Sequence, residues 1–183
     1  MGDHNMGRAI LAAIFWLVAA VTGCTGVPEG LEPVSEFEPH CYMGRWYEIA
    51  RLNHSFERDL NNVSATYTRK ANGDIQVKNR GFDTKIGRWK EIEGHARFLV
   101  DETVGSLKVS FFGPFYGGYH IIALDRQHYT YAAVTGPSRS YFWILSRNRT
   151  LDESIYNKLV AQAVAWGFDT NQLIRVEHNL PGQ

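Results

Sequence analysis

Two cysteines, Cys24 and Cys41, and seven histidines are the thiols and imidazoles of this 183-residue chain. A thiol acts as a nucleophile only where a base or a positive field holds it as thiolate. No histidine stands in a recognisable sequence relation to Cys41, which reads as a small, partly buried residue. A metal site calls for paired imidazoles or a thiol cluster at ligand spacing. His4, His40, His54, His95, His120, His128 and His178 form no H-x-x-x-H pair, and two cysteines are too few for a Cys-based zinc site. There is no G-x-S-x-G elbow and no Gly-rich loop placed to open a helix. Gly113-Pro114-Phe115-Tyr116-Gly117-Gly118 reads as a strand-joining turn, and its proline and aromatics suit it poorly to phosphate. These residues predict no catalytic centre, no metal and no cofactor. What the chain offers is apolar contact, with 10 Phe, 9 Tyr and 5 Trp. Such residues favour strands and also line small-molecule pockets.

Composition narrows the partners. Nineteen basic against nineteen acidic residues give a formal charge of zero, which argues against a nucleic-acid binder. A hydrophobic content of 44% with 21% charged residues is that of a folded protein, and the length suits one domain.

Residues 1–23 read as a leader. Arg8 precedes a 13-residue uncharged run, Ala9 to Val21. A spanning helix needs about 20 residues, so this length suits a signal-peptide core. The run ends in Val21-Thr22-Gly23-Cys24, which resembles the lipobox of bacterial lipoproteins. That resemblance implies cleavage before Cys24, a thioether-linked lipid on its sulfur and acylation of the new N-terminus. Thr25 in place of Asp implies the outer membrane, with the protein on its periplasmic face. A plain secretory signal or a short signal anchor is the alternative, and a Cys24–Cys41 disulfide then competes. Residues 24–39 are expected to form the lipidated N-terminus and a tether, since Thr25 to Pro39 holds three prolines, four glutamates and two glycines. Residues 40–183 are the expected folded domain.

Within that domain, apolar and polar residues alternate with the period of half-buried strands. Val63-Ser64-Ala65-Thr66-Tyr67-Thr68 and Leu107-Lys108-Val109-Ser110-Phe111 are examples. Eight runs emerge, at roughly 44–52, 63–70, 74–83, 88–100, 106–112, 117–125, 129–135 and 141–147. Their short spacing predicts antiparallel neighbours. Eight up-and-down strands can close into a barrel wide enough for one small ligand. One C-terminal helix follows, opened by a Thr150/Glu153 capping box and closed at Gly167, with Leu173 to Val176 as a short ninth strand. The fold class is all-β.

Gly44-Arg45-Trp46 at the start of the first strand resembles the first lipocalin motif. Leu124-Asp125-Arg126 keeps only the aspartate of the second, and Tyr141 to Arg147 resembles the third. Trp46-Tyr47-Glu48-Ile49-Ala50-Arg51, Phe56-Glu57-Arg58 and the stretch Phe111 to Tyr119 look like bacterial lipocalins of the outer-membrane lipoprotein type. The resemblance implies that Trp46 and Arg147 close the barrel floor, the guanidinium stacking on the indole. Arg147 binding a ligand carboxylate is the alternative. With Arg147 inward, Leu145, Trp143 and Tyr141 share its face. Tyr67 and Asn79 match family positions that line the cavity, and alternation adds Phe98 and Phe111. The implied ligand is a fatty acid or a lysophospholipid. A lipocalin-fold enzyme using a cavity thiol or carboxylates, and a ligand-free interaction module, remain the other readings.

Overall fold

The computed structural model describes residues 25–55 and 57–180. The leader, Cys24 and Phe56 therefore lie outside the described residues. A single helical turn, α1 (Pro39–Tyr42), precedes eight strands: β1 (Gly44–Arg51), β2 (Leu60–Arg69), β3 (Ile75–Asp83), β4 (Arg88–Phe98), β5 (Ser106–Phe112), β6 (Phe115–Leu124), β7 (Tyr131–Thr135) and β8 (Phe142–Ser146). Each pairs antiparallel with the next, and β1 pairs with both β2 and β8, so the sheet closes into an up-and-down barrel. Closure removes the exposed edges that an open sheet would present. The helix α2 (Glu153–Ala165) follows, and the short β9 (Ile174–Arg175) pairs with the end of β1.

The alternation sorts the side chains into two cores. Trp46, Tyr67, Val77, Ala96, Leu107 and Leu145 point into the barrel. Ile49, Ile122, Ala133, Phe142 and Ile144 point outward and are covered by Leu159 and Ala163 of α2. That second layer explains why β8 is buried on both faces.

Three local expectations need correction. The N-cap of α2 is Asp152 and not Thr150: its carboxylate accepts from the Ser154 amide at 2.8 Å, and its charge suits the positive end of the helix. Gly167, at φ +80°, ends the helix as expected. Next, β6 begins at Phe115, so Tyr116-Gly117-Gly118 belong to a strand and the turn is only Gly113-Pro114. At Gly118 the strand passes close under another segment, since a Cβ there would come within 3.1 Å of the Thr25 carbonyl oxygen.

That segment is the third correction. Residues 25–38 do not hang free as a tether. Leu31, Val34 and Phe37 are buried, and the Val34 and Phe37 amides donate to the Ile121 and Thr103 carbonyls. Apolar side chains spaced among the prolines supply this docking, which composition alone does not reveal. Gly105 makes room for it, since a Cβ there would come within 2.8 Å of Val34 Cγ2 and 3.1 Å of Ile121 Cβ. Gly105→Val should therefore lower stability by about 1–3 kcal/mol through overpacking. Limited proteolysis should also cut within residues 25–38 faster than in the parent, and an unchanged cleavage rate would mean that the segment is not held there.

Candidate functional site

Trp46 and Arg147 stack at the end of the barrel where β1 begins and β8 ends. Trp46 is fully buried, and its indole N–H donates to the Tyr42 carbonyl at 2.8 Å. The Arg147 guanidinium lies 4.0 Å over the indole centroid. Its N–H groups donate to the carbonyls of Cys41 at 2.6 Å, Arg45 at 2.9 Å and Tyr129 at 3.2 Å. A guanidinium spent on three backbone acceptors is a rivet and has little left for a ligand carboxylate. Above the floor, Tyr119 shares its hydroxyl with those of Tyr42 and Tyr67, at 2.8 and 2.9 Å. Burial pushes all three phenols above their ordinary range, so they stay neutral donors and acceptors.

Above these tyrosines lies a cavity of about 60 Å³. Val63, Ala65 and Leu145 supply its apolar wall, and Tyr67, Asn79, Tyr119 and Trp143 line it with Glu48 and Glu57. The Asn79 carbonyl oxygen is buried without a hydrogen-bond partner. Four of the seven expected pocket residues, Tyr67, Asn79, Trp143 and Leu145, are thus brought together. The other three sit elsewhere. Phe98 packs lower down, 6.2 Å from Phe37 near the closed end. Phe111 lies over Gly94, where any Cβ would meet its ring at 2.7 Å. Tyr141 precedes β8 and stacks on His54 at 5.1 Å, at the mouth. Alternation fixes a face but not a height along the barrel axis, and height separates these three from the cavity.

The mouth itself is charged. Arg51 and Glu48, both nearly inaccessible, pair at 2.7 Å. Arg51 also donates to the Glu57 and Leu60 carbonyls at 2.7 and 3.0 Å, tying down the loop that joins β1 to β2. The Trp143 indole N–H donates to Glu57 Oε2 at 2.9 Å. Two buried carboxylates thus face one guanidinium. Burial pushes the Glu48 carboxyl well above the usual range, the Glu57 charge adds to this, and Arg51 opposes it. Burial likewise raises Glu57, opposed by its bond from Trp143 and by Arg51. His54 is pushed down to about 4 by burial and by the Arg51 charge, so it is neutral at pH 7.

The sequence reading missed this cluster. The parity of Trp46 already places Glu48 inward, two residues along. Arg51 faces inward because the strand bulges between Glu48 and Ala50, and alternation does not foretell a bulge. Glu57 sits on a loop with no periodic signal. Outside the barrel, Glu38, His40 and Cys41 bring their carboxylate, imidazole and thiol within 4.8 Å of one another. The free Cys41 thiol there is pushed upward by burial and by the Glu38 carboxylate, which makes it a poor nucleophile.

A family model described as a lipocalin-like domain matches residues 38–178, the stretch that contains floor, cavity and helix. The chain is a lipocalin. Its relatives include the outer membrane lipoprotein Blc of Vibrio cholerae, 50% identical across 91% of this chain and 99% of that one. The Blc protein of Escherichia coli K12 is 45% identical across 91% and 93%. Temperature-induced lipocalin-1 of Arabidopsis thaliana is 36% identical across 78% and 80%. Among solved structures, insecticyanin of the tobacco hornworm superposes with a TM-score of 0.67 at 20% identity, covering 84% of this chain and 87% of that one, and shares the fold. With such identity over nearly whole chains, this lipocalin belongs with the outer-membrane lipoproteins, as a binding protein and not an enzyme.

Proposed function

We propose that this lipocalin holds a single-chain amphiphile, a fatty acid or a lysophospholipid, inside the barrel, and that acylated Cys24 anchors it to the outer membrane. The observation that carries the reading is the gated cavity: an apolar wall at Leu145 and Val63, an amphipathic Tyr67, an unsatisfied Asn79 oxygen, and a Trp143–Glu57 bond across the entrance. The cavity has a volume of about 60 Å³. An apolar cavity of about 150 Å³ takes one benzene ring, so an acyl chain enters only when Trp143 and Glu57 part. The chain then lies along Trp143, Tyr67 and Leu145, with Phe98 below and Phe111 and Tyr141 above extending the path. Each buried methylene contributes about 0.8 kcal/mol, so ten supply about 8 kcal/mol before ordering costs, the scale of a micromolar Kd.

Opening the gate breaks the Trp143 indole bond, and this gives the test. Titration with palmitate should change tryptophan emission in the parent. Trp143→Phe should lose most of that change while calorimetry still records binding. Silent fluorescence together with silent calorimetry in the parent would instead describe a filled barrel that serves as an interaction module.

A further inference from the structure

The path of residues 25–38 determines which end of the barrel meets the membrane. At the closed end, the Phe37 amide donates to Thr103 in the β4–β5 loop, at 2.7 Å. Midway, Val34 exchanges bonds with Ile121 and Gly105, both at 2.8 Å. Toward the open end, Arg139 of the β7–β8 loop donates to the Glu29 carbonyl at 2.6 Å. His120 Nε2, beside Ile121 in the middle of β6, lies 3.0 Å from the Gly26 carbonyl. Thr25 lies against Gly118, where a Cβ would come within 3.1 Å of its carbonyl oxygen. Read backwards, the segment climbs the outer wall from the floor and reaches Gly118, below the tip of the β5–β6 turn. Gly118 is three residues from Phe115, about 10 Å along a strand. Cys24 is one residue beyond Thr25, about 3.8 Å between Cα atoms.

The same end carries an apolar tip. Phe112 and Phe115 flank the β5–β6 turn at 72% and 78% exposure, and Ile86 on the β3–β4 turn is 50% exposed. No polar function at a turn calls for two aromatic rings in water, and rings of this kind suit the headgroup–acyl boundary. We infer that the open mouth of the barrel faces the bilayer, with Phe112 and Phe115 inserted among the lipids beside the anchored Cys24. The occupant is a phospholipid surface because the first described residue, Thr25, lies only three strand residues below this apolar tip. The inference rests on the acylated-Cys24 reading. It deepens that reading, because an amphiphile can then pass from the leaflet into the mouth without crossing bulk water.

The test uses the full acylated protein reconstituted in phosphatidylethanolamine vesicles whose acyl chains carry bromine. Phe115→Trp places an indole at the tip. Val100→Trp places one at the closed end, on a residue 62% exposed. Both sites are exposed, so both variants keep the fold. Relative to the parent protein, the indole at 115 should shift to the blue and lose emission to bromine, while the indole at 100 should show neither. Mass spectrometry of the N-terminal fragment reports the anchor separately. An acylated Cys24 with an unquenched indole at 115, or quenching at 100, overturns the orientation alone. An unmodified Cys24 overturns the anchor reading and the orientation with it.

Discussion

Trp46→Ala should cost the barrel about 3–5 kcal/mol, the range for deleting a fully buried large aromatic. The indole is the floor of the barrel and is completely inaccessible. Its removal loses the bond to the Tyr42 carbonyl, the 4.7 Å ring contact with Tyr42 and the surface on which Arg147 rests. Arg147 would keep its three carbonyls but would cover a void. Tyr42 of α1 and Arg147, just beyond β8, border that void, so no single element can collapse into it. For a domain of this size each kcal/mol moves Tm by about 2–4 °C, so the midpoint should fall by about 6–20 °C. A urea midpoint shift with an unchanged slope would confirm that the loss is in the folded state. A shift within 2 °C of the parent would mean that the indole bears little of the closure.

Arg51→Leu should cost a similar amount, about 3–5 kcal/mol, but only on the alkaline side. The parent buries Glu48 and Glu57 against this one guanidinium. Burial raises both carboxyls in the folded state, and Arg51 holds that rise back. A carboxyl whose folded pKa exceeds its unfolded value contributes stability below the unfolded pKa and loses it as pH rises through the folded value. Removing Arg51 raises the folded values further and deepens that loss. The variant should therefore match the parent most closely near pH 4.5 and fall furthest behind at pH 8. His54, lowered to about 4 by burial and by the Arg51 charge, works in the opposite sense and loses stability as pH falls toward that value; removing Arg51 relieves part of that loss at low pH, which widens the contrast with pH 8. Adding Glu48→Gln and Glu57→Gln to Arg51→Leu should restore most of the loss at pH 8. A pH-independent cost would assign the effect to the bonds from Arg51 to the Glu57 and Leu60 carbonyls and not to charge.

Much of this architecture is legible in the sequence for physical reasons. Period-two alternation and short turns give eight neighbouring antiparallel strands, which can close into a barrel and so remove their edges. Trp46 and Arg147 are readable as a pair through the resemblance to lipocalins. Leu145 and Trp143 follow from Arg147 by parity, and both line the cavity. The signal fails where the chain departs from periodicity. The bulge in β1 turns Arg51 inward, and the β1–β2 loop brings in Glu57, so the mouth cluster was not foreseen. Phe98, Phe111 and Tyr141 show the complementary limit, since facing the right way does not place a ring at the right depth. Residues 25–38 mislead by composition: two prolines and four glutamates suggest a loose tether, while Leu31, Val34 and Phe37 fix it to the wall.

The central claim is that the barrel interior opens to hold one single-chain amphiphile. Native mass spectrometry of the full protein extracted from membranes in mild detergent tests it most directly. The account predicts a folded species heavier than the acylated chain by the mass of one fatty acid or one lysophospholipid, and loss of that added mass in a variant that fills the cavity, Ala65→Phe. A protein that emerges only at its own acylated mass, and stays there after incubation with palmitate or lysophosphatidylethanolamine, would contradict it.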